Sequence, residues 1–253
     1  MTPPPTTTAT TSAAPAARSS SAARILGVFA SPGKTFAELA ADPHFILCWC
    51  IQIAVGSLYA YELMHRVGAY ALARQQIMLG ARAQSLSPEQ LNKAVSVSAT
   101  FFKFGLWASP VITIVFMLVM AAIMMGIANF VLGYETRYKQ QVSMVSHAYL
   151  VQSLVGLLSV GVLALMASPY SFQMNNPVGS NPGFFLDKSG TGAFVYQFAT
   201  HLDIFSIWIV MLLALGLSKL GGRKGKFGST LAVVGSLWLL YVLVISGVAA
   251  AFA

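Results

Sequence analysis

Between Lys103 and Glu135 the chain runs for 31 residues, Phe104 to Tyr134, without one charged side chain. Wound as a helix at about 1.5 Å per residue, that stretch is roughly 46 Å long, while the hydrocarbon core of a bilayer is about 30 Å thick. A water-soluble fold has no use for so long an uncharged rod. A membrane does, with the surplus absorbed by tilt, by protrusion, or by the kink that Pro110 predicts.

Four more apolar stretches follow the same logic, and together they predict spans at about 44–64, 106–132, 142–167, 197–218 and 229–252. Composition agrees: 57% of the residues are hydrophobic and 9% are charged. Soluble proteins carry roughly 25% charged residues, so this chain could not clothe a globule in a water-compatible surface. The expected fold class is all-α: a polytopic membrane protein, a bundle of five transmembrane helices with an N-terminal amphipathic segment.

Residues 1–23 are mostly Thr, Pro, Ser and Ala. Such a stretch cannot bury enough surface to offset its ordering entropy, so a disordered tail is expected before a membrane domain at 24–253. Arg24–Ala41 carries one apolar patch at Ile25, Leu26, Val28 and Phe29 and another at Phe36 and Leu39. Ser31 and Pro32 between them read as a helix N-cap and first-turn proline. The segment is expected to lie in the headgroup plane ahead of the first span. Gly33-Lys34-Thr35 imitates the end of a phosphate-binding loop, but the glycine needed five residues earlier is Val28, and no strand precedes it. Ser87-Pro88-Glu89-Gln90 marks a fresh helix start. Ser168–Gly192, rich in Pro, Gly and Asn, is expected to be an irregular loop outside the hydrocarbon.

Five spans place the two termini on opposite sides, so orientation follows from the distribution of Lys and Arg. With the N-terminus inside, the inner segments hold nine cations: Arg18, Arg24, Lys34, Arg137, Lys139, Lys219, Arg223, Lys224 and Lys226. The outer segments hold six: Arg66, Arg74, Arg82, Lys93, Lys103 and Lys188. Lys219, Arg223, Lys224 and Lys226 form a membrane-surface basic cluster that fixes its turn on the cytoplasmic side. The net charge of +8 therefore points to anionic lipid headgroups. A nucleic-acid partner, which would want its cations gathered on one polar face, is not expected.

The chemistry available inside the spans is sparse. Glu62, His147 and Asp203 are the ionisable candidates, and Asn129 and Gln152 the amides. Intramembrane ionisable groups usually face the bundle interior, so His147 and Asp203 are candidates to meet; alternatively they sit at the interface or satisfy helix ends. Asn129 and Gln152 suit interhelical hydrogen bonds. Cys48 and Cys50, two apart on a helix, point away from each other and cannot bridge. No catalytic constellation, cofactor motif or metal-ligand spacing is present, and the expectation is a protein that is not an enzyme. Ala122 and Gly126 permit close helix packing, within the chain or with another copy of it.

The arrangement SPGKTFAELAADP before the first span, and LDIFSIWIVMLLALGLSK in the fourth, resembles the Yip family of five-span membrane proteins, in its short bacterial form. The likeness covers about residues 24–253 and rests on Ser31-Pro32, Phe36, Asp42-Pro43, Asp203 to Trp208, and Gly216-Leu217-Ser218. It implies a cytoplasmic N-terminus and a place in the bacterial inner (cytoplasmic) membrane. Eukaryotic members are associated with small GTPases of the Rab type. Their long cytosolic domain and DLYGP motif do not occur in this sequence, so GTPase binding is not expected. The expected partners are the lipid bilayer and itself or other membrane proteins. The expected function is non-catalytic organisation of the membrane or of a membrane protein complex. The alternative is permeation of an ion, small solute or lipid past the polar residues of the bundle.

Overall fold

The computed structural model describes residues 19–78, 85–174, 176–187 and 190–251. Four helical runs are long and apolar enough to cross a bilayer. They are α3 (Ile46–Arg66), α5 (Pro88–Gly126, continued by a π-helical turn to Val131), the pair α6 (Tyr138–Ala148) and α7 (Leu150–Leu165), and α10 (Phe227–Ala251). α8 (Ala193–His201) and α9 (Ile204–Leu220), bent by 54° where they meet, are together long and apolar enough to make a fifth. There is no strand among the described residues. The chain is the expected all-α bundle of a polytopic membrane protein.

α5 begins at a reciprocal cap: Gln90 N donates to Ser87 Oγ at 3.3 Å, and Ser87 N donates to Gln90 Oε1 at 2.9 Å. Pro110 has no N–H to offer the carbonyl of Leu106 one turn earlier. The hydroxyl of Ser109 donates to that carbonyl instead, at 2.7 Å, and the helix runs on through the proline. At 39 residues it is roughly 58 Å long and must overshoot the hydrocarbon. Its first turns pack against α4 (Ala69–Met78) through Ala69, Ala73, Val95 and Ala99, whose small side chains let the two backbones approach closely. The other end closes on itself. Gly133, at φ +66°, reverses the chain, and Asn129 clasps Thr136 by accepting its N–H at 2.9 Å and donating to its carbonyl at 3.2 Å.

Upstream, α1 (Ser21–Ala30) and α2 (Pro32–Ala41) form a tight hairpin. α1 starts inside the stretch expected to be disordered, because Ser20 accepts a hydrogen bond from Ala23 N and caps it. Residues 1–18 of that tail, with Arg82 and Lys188, lie outside the described residues. Arg24, only 4% exposed, straps the hairpin together by donating to the Asp42 carbonyl at 2.9 Å and to Asp42 Oδ2 at 3.1 Å.

The hairpin does not spread its apolar residues over the headgroups, and that expectation is corrected. Val28, Phe36 and Leu39 are buried in the main core with Met117, Met124, Met144, Val145, Leu213 and Leu217. The reason is local: Gly216 on α9 leaves room for Phe36 and Met144, which a side chain there would strike. Leu26, 71% exposed, and Phe29, 36% exposed, are residues of the first patch that still face outward.

Phe36 is therefore a core residue. Phe36→Ala is expected to cost about 3–5 kcal/mol of stability, and Leu26→Ala less than about 0.5 kcal/mol, read from denaturant unfolding midpoints in detergent. Equal losses would show that α2 does not pack into the bundle.

Candidate functional site

The two ends of the bundle differ. One carries the α1–α2 hairpin, the Leu132–Arg137 turn and the α9–α10 turn, tied together where Lys224 Nζ donates to the Gly133 carbonyl at 3.2 Å and pairs with Glu135 at 3.4 Å. Lys34, Arg137, Lys139, Lys219, Arg223, Lys224 and Lys226 are all exposed there. The other end carries α4 and the irregular loop, joined by Gln75 Nε2 donating to the Phe172 carbonyl at 2.8 Å. Short 3-10 turns at Pro169–Ser171 and Pro182–Phe185 are the regular pieces of that loop.

The interior is zipped by α6. Residues Gln141 to Ala148 are all buried, although four of them are polar. Residues three apart on a helix share a face, and Gln140, Ser143 and Ser146 use that spacing to hold the α2–α3 connection. Gln140 Nε2 donates to the Ala40 carbonyl at 2.7 Å, and Ser143 Oγ to the His44 carbonyl at 2.8 Å. Ser146 Oγ accepts from Trp49 Nε1 at 2.8 Å, and the Ser146 carbonyl accepts from Gln52 Nε2 at 2.7 Å. The last carbonyls of a helix lack intrahelical donors, and α6 ends just beyond, at Ala148, so Gln52 supplies one from a neighbouring helix.

Beyond this zipper the bundle opens. A cleft of about 970 Å³ lies between α3, α5, α7 and the α8–α9 pair, roofed by α4 and the irregular loop. It reaches inward to Gln52, Met117 and Tyr149. Gln52 is six residues, roughly 9 Å, from the start of α3, so the cleft penetrates most of the bundle. No Lys or Arg lines it among the described residues. A smaller cavity of about 240 Å³, lined by Arg24, His44, Cys48, Lys139 and His147 among others, sits at the cationic end.

The five polar candidates are dispersed. Asp203 caps α9: Oδ1 accepts from Phe205 N at 2.9 Å and Ser206 N at 3.1 Å, while Oδ2 accepts the Ser180 hydroxyl of the loop. It also lines the large cleft, as does Gln152, whose side chain projects into open space. His147 is 3% exposed, bonded through Nδ1 to the Ser143 carbonyl at 2.8 Å, and lines the small cavity. His147 and Asp203 thus line different cavities and do not meet. Glu62 pairs with Arg66 one turn on, at 2.8 Å, and Asn129 is spent on its clasp. Cys48 is buried and Cys50 exposed, on different faces of α3 as expected.

Sequence reasoning missed the zipper and Gln52. The signal was available in QQVSMVSHA, where polar residues recur every three positions at the start of a span. That spacing marks a helix face with partners inside the protein.

Helices of this length and apolarity, with a core of their own and large apolar side chains such as Trp107 and Phe130 turned outward, belong to a multi-pass integral membrane protein. Among known proteins the chain is similar to the "Membrane protein YknW" of Bacillus subtilis (strain 168). The two are 28% identical over 210 residues, covering 83% of this chain and 84% of that protein. No family model matches the chain, and no solved structure does.

Asp203 holds both a helix start and the cleft wall. Asp203→Ala is expected to cost about 1–2 kcal/mol and to speed backbone amide exchange at Ser180–Leu186 relative to α10. Glu62→Gln, breaking a partly exposed pair, is expected to change stability by less than about 1 kcal/mol. Hydrogen exchange and unfolding midpoints read both.

Proposed function

We propose that this chain is a non-catalytic integral membrane protein of the Yip type, with its cationic end in the bacterial cytoplasm, and that it organises the membrane or a membrane protein complex. The observation that carries this reading is the sealed half of the bundle. At the cationic end, most polar side chains within the spans bond to neighbouring helices or turns, and the core around Met144, Val145 and Leu217 packs between them, apart from the cavity of about 240 Å³ beside Arg24 and His147. That makes a rigid plug. The described residues of this end include eight Lys and Arg against three acids, and those of the opposite end four against four. Lys and Arg are retained on the cytoplasmic side of a membrane, which supports the orientation and a surface matched to anionic lipid.

The residues behind the Yip resemblance form one connected set. Asp42 receives Arg24, Phe36 lies against Gly216, Asp203 caps α9, and Trp208 meets Phe29 edge-on at 5.7 Å. All but Asp203 fasten the amphipathic hairpin to the fourth span, and Asp203 holds the irregular loop to the start of that span. The large cleft favours a second reading, permeation of a small polar solute; the plug beneath it stands against that.

Reconstituted vesicles separate the two. Proton, ion and lipid-probe movement is expected to match protein-free vesicles, and flux removed by His147→Ala or Asp203→Asn would reverse the assignment. In whole cells, Lys226→Cys is expected to resist an impermeant thiol reagent that modifies Ser171→Cys, in a background lacking Cys48 and Cys50. The opposite pattern would invert the orientation.

A further inference from the structure

Six of the chain's ten glutamines line the cleft of about 970 Å³: Gln52, Gln75, Gln76, Gln152, Gln173 and Gln197. Hydrogen bonding between elements accounts for Gln52 Nε2 and Gln75 Nε2, which reach the Ser146 and Phe172 carbonyls, but not for Gln152 and Gln197, which stand on helices of the bundle. At the floor, Gln52 is 8% exposed; its Nε2 is committed to Ser146, and its Oε1 is buried without a partner. A buried acceptor left unsatisfied is costly and calls for a donor. Nearer the mouth, Gln152, Gln173 and Gln197 bring three more side-chain amides to the walls, with no side-chain hydrogen bond to a group among the described residues. Tyr59, Tyr149 and Tyr196 add aromatic rings to the walls.

The lining restricts the ligand. With no Lys or Arg among the described residues, an anion would be buried without a counter-charge. A cation gains little from the two acids of the lining: the Asp203 carboxylate already accepts three hydrogen bonds from the protein, and Asp187 Oδ2 accepts from Gly190 N at 3.1 Å. What remains is a neutral molecule dense in hydroxyls. A carboxamide offers an acceptor and two donors side by side, which suits neighbouring hydroxyls on a ring. Aromatic rings in turn offer apolar faces to a sugar's C–H surface. The volume suits an oligosaccharide of a few units.

We propose that the cleft is a binding site for a neutral saccharide, entering from the end roofed by α4 and the irregular loop, with Gln52 Oε1 as the acceptor at its floor. Such a saccharide reaches the site either free or as the headgroup of a glycolipid. The inference goes beyond the organising role and stands or falls separately from it, since binding requires no flux.

The full chain in phosphatidylcholine nanodiscs is the sample. Calorimetric titration with maltose tests the free sugar, and native mass spectrometry from nanodiscs doped with diglucosyl diacylglycerol tests the headgroup. Binding in either arm, weakened at least tenfold by Gln152→Leu with an unchanged unfolding midpoint, is the expected result. Gln52→Leu should act in the same direction. Response in the first arm alone identifies a soluble saccharide, and in the second alone a glycolipid. Silence in both arms, undiminished binding by Gln152→Leu, or titration by triglycine in place of maltose overturns the proposal.

Discussion

The face of α6 that carries Gln140, Ser143 and Ser146 sets the register of the cationic half of the bundle. These three side chains reach the Ala40 and His44 carbonyls and the Trp49 indole in order, and the Ser146 carbonyl takes Gln52, so the α2–α3 connection has one depth at which all the bonds form. Hydrogen bonds between spans are individually modest, about 0.6 kcal/mol on average. Their value here lies in direction. Apolar packing alone would let α3 slide along α6 by a turn at small cost, whereas the zipper leaves polar groups stranded at any other register. With α3 fixed, the hairpin ahead of it is drawn into the groove beside α9, where Gly216 makes room for Phe36.

The same device divides the molecule into two unlike halves. Where the zipper runs, side chains interlock and the interior is closed. Where it stops, at the turn at Tyr149, α7 departs toward α3 and the α8–α9 pair bends by 54° toward α10. The resulting gap is roofed by α4 and by the loop that Asp203 holds to the start of α9. The cleft lies on the side of the bundle away from the zipper, between α7 and the bent α8–α9 pair. Its polar lining follows from the same geometry, because a space open to water at one end can tolerate amides that lipid would not.

Several roles were legible from residue type and position. Ser87 and Pro88 start α5 because the cap and the fixed proline torsion act locally, within one turn. Asp203 at the head of an apolar run is an N-cap for the same reason. Pro110 is instructive in the other direction. Its missing N–H was visible in the sequence, but whether the freed Leu106 carbonyl would break the helix depended on a hydroxyl one residue away. The amphipathic hairpin was misplaced because amphipathicity states only that one face avoids water. Lipid and a protein groove satisfy that condition equally.

By itself the sequence determined the class: an all-α bundle of long apolar helices suited to a bilayer, and where several of those helices begin. Those features depend on the cost of burying charge and on bonds within single turns, both of which are local in the chain. The tertiary structure decided which polar residues meet. It separated His147 from Asp203, spent Glu62 and Asn129 on neighbours, and collected six glutamines around one cleft. Spacing along the chain carries no information about that gathering, since residues about 100 positions apart are brought together only by the way the helices pack.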